Sequence, residues 1–436
     1  MNENEWSRDK QNKKHFIKNL IYIITFVYSH FTAFLMKRII ILICVFLSVL
    51  KINAQQYSIS DSAIVSLITC SPGEEVYSKF GHTAIRVKDV KNRLDVVFNY
   101  GIFSFETEHF YYKFIKGETD YQLGVYETSY FLPEYASRNS MVWEQILNIT
   151  PAERKNLVNL LMENYQTENR VYRYNFVFDN CATRPRDKIF EALRGYVKFQ
   201  NTSDPKTFRQ WVGVYVGTDT WLKFGIDLVF GLDADRIATL NESMFLPEVL
   251  MNEFQNGQIG TPNGQFRKLV ISDKTVLINK KIEPEVITPW IFKPMAFTQI
   301  LLIIGILLTI WDNYRKRIYK PFDTGLLILT GLGGLIASYL MLISIHPLVK
   351  YNLNILWLNP LNIFVAIILW IKPLRLPLFF YQIFNMLLLI GALFAFALSS
   401  QIFNDACFPL IVLLIMRTTS WFAITKRRLF RRREIK

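Results

Sequence analysis

One cysteine and one histidine in the first half of the chain have the surroundings that thiol chemistry requires. Cys181 stands in the run DNCATRPRD, residues 179–187, directly before a predicted helix with Pro185 in its first turn. Free amides and the positive end of a helix dipole lower the pKa of a thiol, which makes a thiolate nucleophile available near neutral pH. The competing interpretation is a buried structural cysteine. The position therefore predicts a nucleophile only if a base lies nearby.

His82 is the candidate base. It lies in the run FGHTAIR, residues 80–86, at the start of a predicted strand and after a glycine that allows close backbone approach. An imidazole is the usual base for a cysteine nucleophile, and a third group normally fixes its tautomer. A hairpin that turns near residues 90–92 brings Asn99 or Tyr100 beside His82. We take Asn99 as the predicted third residue and Asp95 as the reserve.

The elements that must position these side chains follow from local patterning. Alternation and β-branched residues predict strands, and the capping-box pair Thr150 and Glu153 predicts the start of a helix. The predicted strands are Ala63–Thr69, Thr83–Val87, Leu94–Asn99 and Lys268–Asn279, the predicted helices are Pro151–Tyr165 and Arg184–Leu193, and Asn256–Arg267 is a predicted polar loop. Mixed elements of this kind indicate an α+β domain over residues 55–289.

The second part of the chain, residues 290–425, has the composition of a membrane domain. Its five apolar segments are each about long enough to cross a bilayer: Phe297–Trp311, Leu326–Ile345, Ile355–Ile371, Leu376–Ser399 and Phe408–Ile424. Basic connections follow the first, third and fifth segments and alternate with weakly charged ones. By the positive-inside rule the domain starts outside and ends with a basic cytoplasmic tail, residues 426–436.

Targeting signals agree with this orientation. Residues 36–54 read as a secretory signal peptide, with Lys37 and Arg38 before an apolar core and Ala54 before the cut. Residues 1–35 contain a further apolar stretch. They are either a genuine membrane anchor or the product of a start codon upstream of Met36, and we favour the second because Met36 begins a complete signal by itself.

Charge and cysteine usage narrow the possible functions. The formal net charge of +14 comes mainly from basic residues that abut apolar helices, which argues for membrane topology and against a nucleic-acid partner. Cys44 and Cys407 lie in apolar segments, so Cys70 and Cys181 are the two cysteines of the exported domain. An oxidising compartment permits them to form a disulfide, which is the alternative to a reactive thiol.

Several runs resemble one family. The runs CSPG (70–73), FGHTAIR, FNYG (98–101), YNF (174–176) and DNCATRPRD, together with His346-Pro347 and the asparagine-rich stretch 352–361, are similar to the Lnb-type lipoprotein N-acyltransferases of Bacteroidota. The order of histidine, polar residue and helix-start cysteine also resembles circularly permuted papain-like enzymes of the NlpC type. The resemblance implies such a periplasmic domain followed by an all-α bundle of about five transmembrane helices.

The resemblance further implies an activity. An acyl chain would pass from a phospholipid, through a thioester on Cys181, to the N-terminal amine of a diacylated lipoprotein in the inner membrane, without a cofactor or metal. Among the remaining polar residues, Arg184 and Arg186 are candidates for a phosphate headgroup because they flank the nucleophile. His346, Asn352 and Asn354 are candidates because they lie at the outer membrane boundary.

Two other functions remain open at this point. The same cysteine and histidine could belong to a membrane-tethered peptidase or amidase that acts on cell-wall peptides, since fold analogy does not separate the two chemistries. Five membrane segments favour a lipid substrate, because a peptidase needs only one anchor. The third function is a non-catalytic envelope sensor in which Cys70 and Cys181 form a disulfide.

Overall fold

The structure is a computed structural model. It describes residues 36–38, 59–200, 204–261, 263–278 and 288–430, with side chains up to residue 426. The signal peptide beyond Arg38, the upstream extension 1–35 and the end of the basic tail lie outside the described residues.

A seven-stranded antiparallel sheet forms the centre of the N-terminal domain. Its spatial order is β10-β5-β1-β2-β3-β4-β6. These strands are β1 (Ile64–Cys70), β2 (His82–Asp89), β3 (Leu94–Ile102), β4 (Asp120–Glu127), β5 (Val142–Leu147), β6 (Val171–Arg173) and β10 (Val270–Leu277). The first three and the last confirm predicted strands to within about three residues, whereas β4 to β6 were not predicted. The central strand β1 is buried from Val65 to Cys70, so both faces of the sheet are covered.

Eight helices surround this sheet in the described part of the domain. They are α1 (Phe110–Lys116), α2 (Thr128–Ser137), α3 (Pro151–Tyr165), α4 (Thr183–Ala192), α5 (Phe208–Val216), α6 (Trp221–Val229), α7 (Leu240–Ser243) and α8 (Pro247–Asn256). The predicted capping box of α3 is confirmed, because the Thr150 side chain accepts from the Glu153 amide and the Glu153 carboxylate accepts from the Thr150 amide.

The predicted loop at residues 256–267 is only partly a loop. It contributes β8 (Gln258–Gly260) and β9 (Phe266–Lys268), which pair with β7 (Val197–Lys198) in a small three-stranded sheet. Glycine-rich polar sequence concealed these strands, since three-residue strands leave too little room for an alternating pattern.

Long apolar helices follow in the C-terminal domain. Among the described residues, four helical spans are long and apolar enough to cross a membrane: Pro294–Arg315, Lys320–Leu342, Lys372–Leu398 and Cys407–Lys426. The corresponding α-helices are α9 (Pro294–Arg315), α10 (Lys320–Leu342), α12 (Arg375–Leu398) and α13 (Cys407–Phe430). The α+β domain followed by a helical membrane domain is thereby confirmed.

The predicted third membrane helix, Ile355–Ile371, is wrong as a continuous helix. The structure has a short 3-10 turn and then α11 (Asn362–Ile368), which is seven residues long. Pro360 lacks an amide for an upstream helical bond, and the Asn359 side chain accepts from the Leu361 amide at 3.0 Å, which stabilises a turn at this point.

This broken segment nevertheless runs antiparallel to α10. The Leu358 carbonyl packs against Gly334, where a β-carbon would lie only 2.2 Å from the oxygen. Farther along, the Trp370 indole donates to the Thr324 hydroxyl at 2.9 Å, near the start of α10. The segment therefore covers most of the length of α10, and a fifth membrane crossing in broken form stays a prediction.

Candidate active site

Cys181 lies in a tight turn that leads into α4. The Asn180 side chain accepts hydrogen bonds from the amides of Ala182 at 2.8 Å and Thr183 at 2.9 Å. Its own amide nitrogen donates to the carbonyls of Phe176 and Phe245, which ties the turn to the core. A side chain thus caps the first amides of the helix, so these amides are not free to stabilise a thiolate. The sequence had predicted that they would be free.

The Cys181 sulfur is a neutral thiol in this environment. Burial raises the pKa of Cys181 to about 11, although hydrogen bonds from the backbone amides of Thr83 and of Cys181 itself act in the opposite direction. The low pKa predicted from the helix position is therefore wrong, because the effect of burial is larger. The same two amides point at the reacting sulfur, where an oxyanion would form.

His82 begins β2, and its orientation follows from the hairpin register. Ile85 pairs with Phe98, so His82 and Asn99 lie on the same face of the sheet while Tyr100 lies on the other. The His82 Nε2 atom is 2.5 Å from the Asn99 Oδ1 atom. Because an amide oxygen only accepts, Nε2 carries the proton and Nδ1 is the basic nitrogen. The Tyr135 ring stacks on the imidazole with a centroid distance of 6.0 Å.

Burial also keeps His82 uncharged. It lowers the pKa of His82 from 6.5 to about 4, with the hydrogen bond to Asn99 acting in the opposite direction and the positive charge of Arg138 adding to the decrease. At neutral pH the pair is consequently a neutral thiol and a neutral imidazole, and a thiolate forms only when the proton moves to His82.

The two side chains converge over Gly101. A β-carbon built on Gly101 would lie 3.4 Å from the Cys181 Cβ atom and 3.9 Å from the His82 Cε1 atom. Gly101 has a φ of +92°, which a side chain would strain. This glycine therefore keeps open the space in which the thiol and the imidazole meet.

The two alternatives to Asn99 have other roles. The Tyr100 hydroxyl donates to Asn164 at 2.8 Å on the opposite face of the sheet. Asp95, the reserve candidate, forms a two-pronged ion pair with Arg86 at 2.6 and 2.7 Å. The catalytic roles of Cys181, His82 and Asn99 remain predictions, but the structure brings these three residues together.

The two arginines after the nucleophile are engaged elsewhere. Arg184 forms a two-pronged pair with Asp179 at 2.5 and 2.8 Å and covers the Tyr172 ring at 3.6 Å. Arg186 is buried, with donors to Asp187 at 2.7 Å and to the Asn241 carbonyl at 2.5 Å. These contacts favour a structural role over the predicted headgroup binding.

Asn352 and Asn354, which were predicted to lie at the periplasmic boundary of the membrane domain, join the two domains. The Asn352 amide donates to the Leu228 carbonyl at 2.7 Å, and the Asn354 amide donates to the Asp227 carbonyl at 3.1 Å. Both side chains are 1% exposed. The structure therefore puts Asn352 and Asn354 in the domain interface and not at a surface where they could bind substrate.

An ion network that the sequence did not reveal extends this junction. Arg209 is 1% exposed and donates to Asp235 at 2.8 Å and to Asp227 at 3.0 Å. Lys223 pairs with Asp227, and Asn404 from the membrane domain donates to the same carboxylate at 2.9 Å. We define Arg209, Asp227, Asp235 and their asparagine partners as the junction network. The charged residues had no spacing signal because α5, α6 and the following turn bring them together only in the fold.

His346 lies apart from the Cys181–His82 pair, which we call the dyad, and it lines the edge of a large apolar cavity. Its Nε2 atom contacts the Phe114 carbonyl at 2.8 Å, which joins α1 to the segment after α10. The cavity has a volume of about 940 Å³ and lies between the N-terminal domain and the end of α10. We call it the apolar cavity; Phe80, Phe176, Val212, Phe230, Leu335 and Ile343 are among its lining residues.

A separate, polar crevice of about 340 Å³ contains His82 and Asn99. Glu134 and Tyr135 from α2 and Arg138 directly after it form one of its walls. The run Phe80-Gly81-His82 thus lines both spaces, with Phe80 in the apolar cavity and His82 in the polar crevice. Sequence gave no signal for Tyr135 or Arg138, because α2 was not predicted.

The cysteines of the described residues are free thiols: Cys70, Cys181 and Cys407. The disulfide between Cys70 and Cys181 that was considered from the sequence is therefore not formed here. Cys70 is 0% exposed, and burial raises its pKa well above the ordinary value. Cys181 is partly exposed and receives two backbone amides, which makes it the better nucleophile of the two.

The fold and the site define an envelope protein with a cysteine–histidine centre in an α+β domain joined to a helical membrane domain. The chain matches the family description "Lnb N-terminal periplasmic domain" over residues 51–213 and "Lnb transmembrane domain" over residues 286–429. These matches together cover well over half of the sequence, and the chain belongs to the Lnb family. It is a membrane protein with a periplasmic domain, and this family membership indicates a role in lipoprotein biogenesis. No curated protein and no solved structure matches it.

Proposed function

We propose that this protein is a thiol-dependent lipoprotein N-acyltransferase of the inner membrane. It would move a fatty acyl chain from a phospholipid to the N-terminal amine of a diacylglyceryl-cysteine lipoprotein. The observation that carries this proposal is the convergence of Cys181 and His82 over Gly101, in a domain joined to membrane helices through buried contacts. Both substrates are anchored in the same leaflet, so a thiol at this height reaches each without extracting a lipid.

In the first half-reaction the Cys181 sulfur attacks the ester carbonyl of the donor while its proton passes to Nδ1 of His82. The amides of Thr83 and Cys181 donate to the oxyanion, since they already point at the sulfur. The ester C–O bond then breaks, and the departing lysophospholipid oxygen takes the proton from His82. The product is an acyl thioester on Cys181.

In the second half-reaction the lipoprotein amine attacks the thioester carbonyl. His82 accepts a proton from the amine, the C–S bond breaks, and the Cys181 sulfur recovers a proton from the imidazolium. An amide is formed on the lipoprotein, and the enzyme returns to its neutral thiol and imidazole. Asn99 holds the imidazole in one tautomer through both steps.

A peptidase or amidase is the second candidate, because the same three residues could hydrolyse a cell-wall peptide. The large apolar cavity, whose lining includes Phe80 two residues before His82, favours the acyltransferase, since a polar peptide would bury its amides there without partners. A non-catalytic sensor built on a Cys70–Cys181 disulfide has less support, because both thiols are free.

Mass spectrometry of lipoprotein N-termini tests the proposal. Cells that produce this protein should carry a third acyl chain on lipoprotein amines, and cells that lack it or produce Cys181→Ser should carry free amines. Unchanged acylation in the Cys181→Ser cells would exclude the proposed activity. Altered cell-wall peptides with unchanged lipoproteins would support the peptidase instead.

A further inference from the structure

We propose that the apolar cavity holds the acyl chain of the phospholipid donor during transfer. This inference rests on the proposed function and adds the binding site of one substrate to it. A volume of about 940 Å³ lies at the upper end of ordinary ligand pockets and suits a long flexible chain.

The walls of the cavity come from both domains. Phe176 and Val212 contribute from the N-terminal domain, and Leu335 and Tyr339 contribute from the second half of α10, with Ile343 directly after it. These side chains present mainly carbon to the cavity, so water in it gains few hydrogen bonds and an alkyl chain displaces that water favourably. The residue types thus select an apolar occupant and disfavour a peptide or a headgroup.

One wall of the cavity, which includes Phe80 and Phe176, is linked to the candidate catalytic residues. Phe80 is two positions before His82, and its ring contacts the Phe176 ring at a centroid distance of 4.8 Å. The Phe176 carbonyl accepts from Asn180, the neighbour of Cys181, at 2.8 Å. A chain that fills the cavity therefore contacts an aromatic pair of which Phe80 is two residues from His82 and Phe176 is hydrogen-bonded to the neighbour of Cys181.

The outer end of the cavity lies at the level of lipid. Leu335 on α10 and Ile343 directly after it are about half exposed, as expected for side chains that face acyl chains. The α1 helix presents the aromatic residues Tyr111 and Tyr112 on its exposed surface. The backbone carbonyl of Lys116, at the end of α1, accepts a hydrogen bond from the Ile345 amide at 2.9 Å. This bond holds α1 beside the end of α10. Aromatic residues at such a position are typical of the headgroup region, so a phospholipid reaches the cavity from its own leaflet.

Photo-crosslinking tests this assignment without requiring turnover. Full-length Cys181→Ser protein would be reconstituted in nanodiscs that contain phosphatidylethanolamine with a diazirine in the middle of one acyl chain. We expect labelled peptides that contain Phe176 or Val212, because bulk lipid does not reach these residues of the periplasmic domain. Labels confined to α9, α10, α12 and α13 would overturn the proposal.

Variants sharpen the test. Ser338→Trp fills the cavity from α10 and should reduce the Phe176 and Val212 labels at least fivefold; Ile336→Trp serves the same purpose if Ser338→Trp does not insert. Leu332→Trp is the matched control, because Leu332 is 48% exposed on the same helix and does not line the cavity. Equal label loss in Leu332→Trp and Ser338→Trp would contradict a specific site.

Chain length gives a second measurement. In otherwise wild-type protein, Ser338→Trp should lose about tenfold or more in transfer from a donor with chains of about 16 carbons and less than about threefold with chains of about 10, since pocket contacts discriminate by methylene groups. An equal loss for both donors would overturn the assignment.

The outcomes separate the two proposals. Labels in the cavity without any transfer by the wild-type protein would leave the lipid site intact and overturn the proposed function. Transfer without cavity labels would support the function and overturn the lipid site. Labels that arise only from a diazirine-bearing diacylated lipopeptide, and not from the phospholipid, would assign the cavity to the acceptor and contradict the donor site.

Discussion

The Cys181–His82 pair and the junction network both bury polar side chains, but they differ in the partners that those side chains have. In the junction network, two carboxylates and the backbone carbonyls of Asp227 and Phe230 accept the hydrogen bonds of Arg209. At Cys181 and His82, burial raises the pKa of the thiol and lowers the pKa of the imidazole, so the neutral form of each is favoured. A buried polar group whose hydrogen bonds are all made is typical of a structural role. A buried group that stays neutral and keeps an unused hydrogen-bonding position is available for chemistry.

The largest effect should come from the nucleophile. Cys181→Ala should abolish acyl transfer and leave the thermal stability of the protein nearly unchanged, because the thiol forms no ion pair and its removal deletes one atom. Transfer to a synthetic diacylated lipopeptide and a thermal melt of the same sample provide the two readings. Residual transfer above the rate without enzyme would show that another group forms the thioester.

Removal of the base should have the next largest effect. His82→Ala should reduce kcat/KM by about 10²- to 10⁴-fold, the usual contribution of general acid–base catalysis. Stopped-time assays at donor concentrations well below KM measure this loss. A decrease smaller than about tenfold would contradict the role of His82 as the proton acceptor.

His82 should also make the stability and the kcat/KM of the protein depend on pH. The folded pKa of His82, about 4, lies below its unfolded value of 6.5. Between these two values the unfolded chain binds the proton more readily, so stability is full above pH 6.5 and decreases as the pH falls toward 4. A pH series of melting temperatures should show this decrease in the wild type and a smaller one in His82→Ala. The acid limb of kcat/KM should likewise lie near pH 4 and not near 6.5.

The junction network should respond in stability and not in chemistry. Arg209→Ala removes the guanidinium shared by two buried carboxylates, which leaves Asp235 without its ion-pair partner, and should destabilise the protein by about 3–5 kcal/mol. Arg173→Ala is the matched control, because the Arg173–Asp120 pair is about half exposed and such pairs contribute roughly 0–1 kcal/mol. Chemical denaturation in detergent compares the two. Protein that does fold in Arg209→Ala should retain its activity per molecule.

The smallest of these effects should belong to Asn99. Asn99→Ala removes only the group that orients the imidazole, so we expect a loss of about tenfold in kcat, less than that of His82→Ala. Asn99→Gln should recover part of the activity if its amide oxygen reaches Nε2. A loss in Asn99→Ala as large as that in His82→Ala would indicate that Asn99 contacts a substrate directly.

Local pattern was sufficient where neighbouring residues determine the structure. The β2–β3 hairpin illustrates this point, because its register follows from the turn and puts Asn99 and not Tyr100 on the face of His82. The capping box of α3 and the long apolar helices follow in the same way from residue types within one element.

Sequence was insufficient where the answer depends on distant partners. Arg186 and Asn352 have the residue types of ligand-binding groups, but the Asn241 and Leu228 carbonyls that occupy them are remote in the chain. The pKa of Cys181 was misjudged for a similar reason. Helix position is local, whereas the burial that raises the pKa to about 11 comes from the surrounding fold, and Asn180 caps the helix amides.

Detection of the acyl-enzyme is the most direct test of the proposal that Cys181 carries the acyl group during transfer. Full-length protein would be incubated with phospholipid in the absence of a lipoprotein acceptor, and its peptides would be weighed by mass spectrometry. We expect one acyl group on the peptide that contains Cys181. Hydroxylamine at neutral pH should release it, as it releases a thioester, and the group should still form in Cys70→Ser. An acyl group on Cys70, or acyl transfer that proceeds without any adduct in Cys181→Ser, would contradict the proposal.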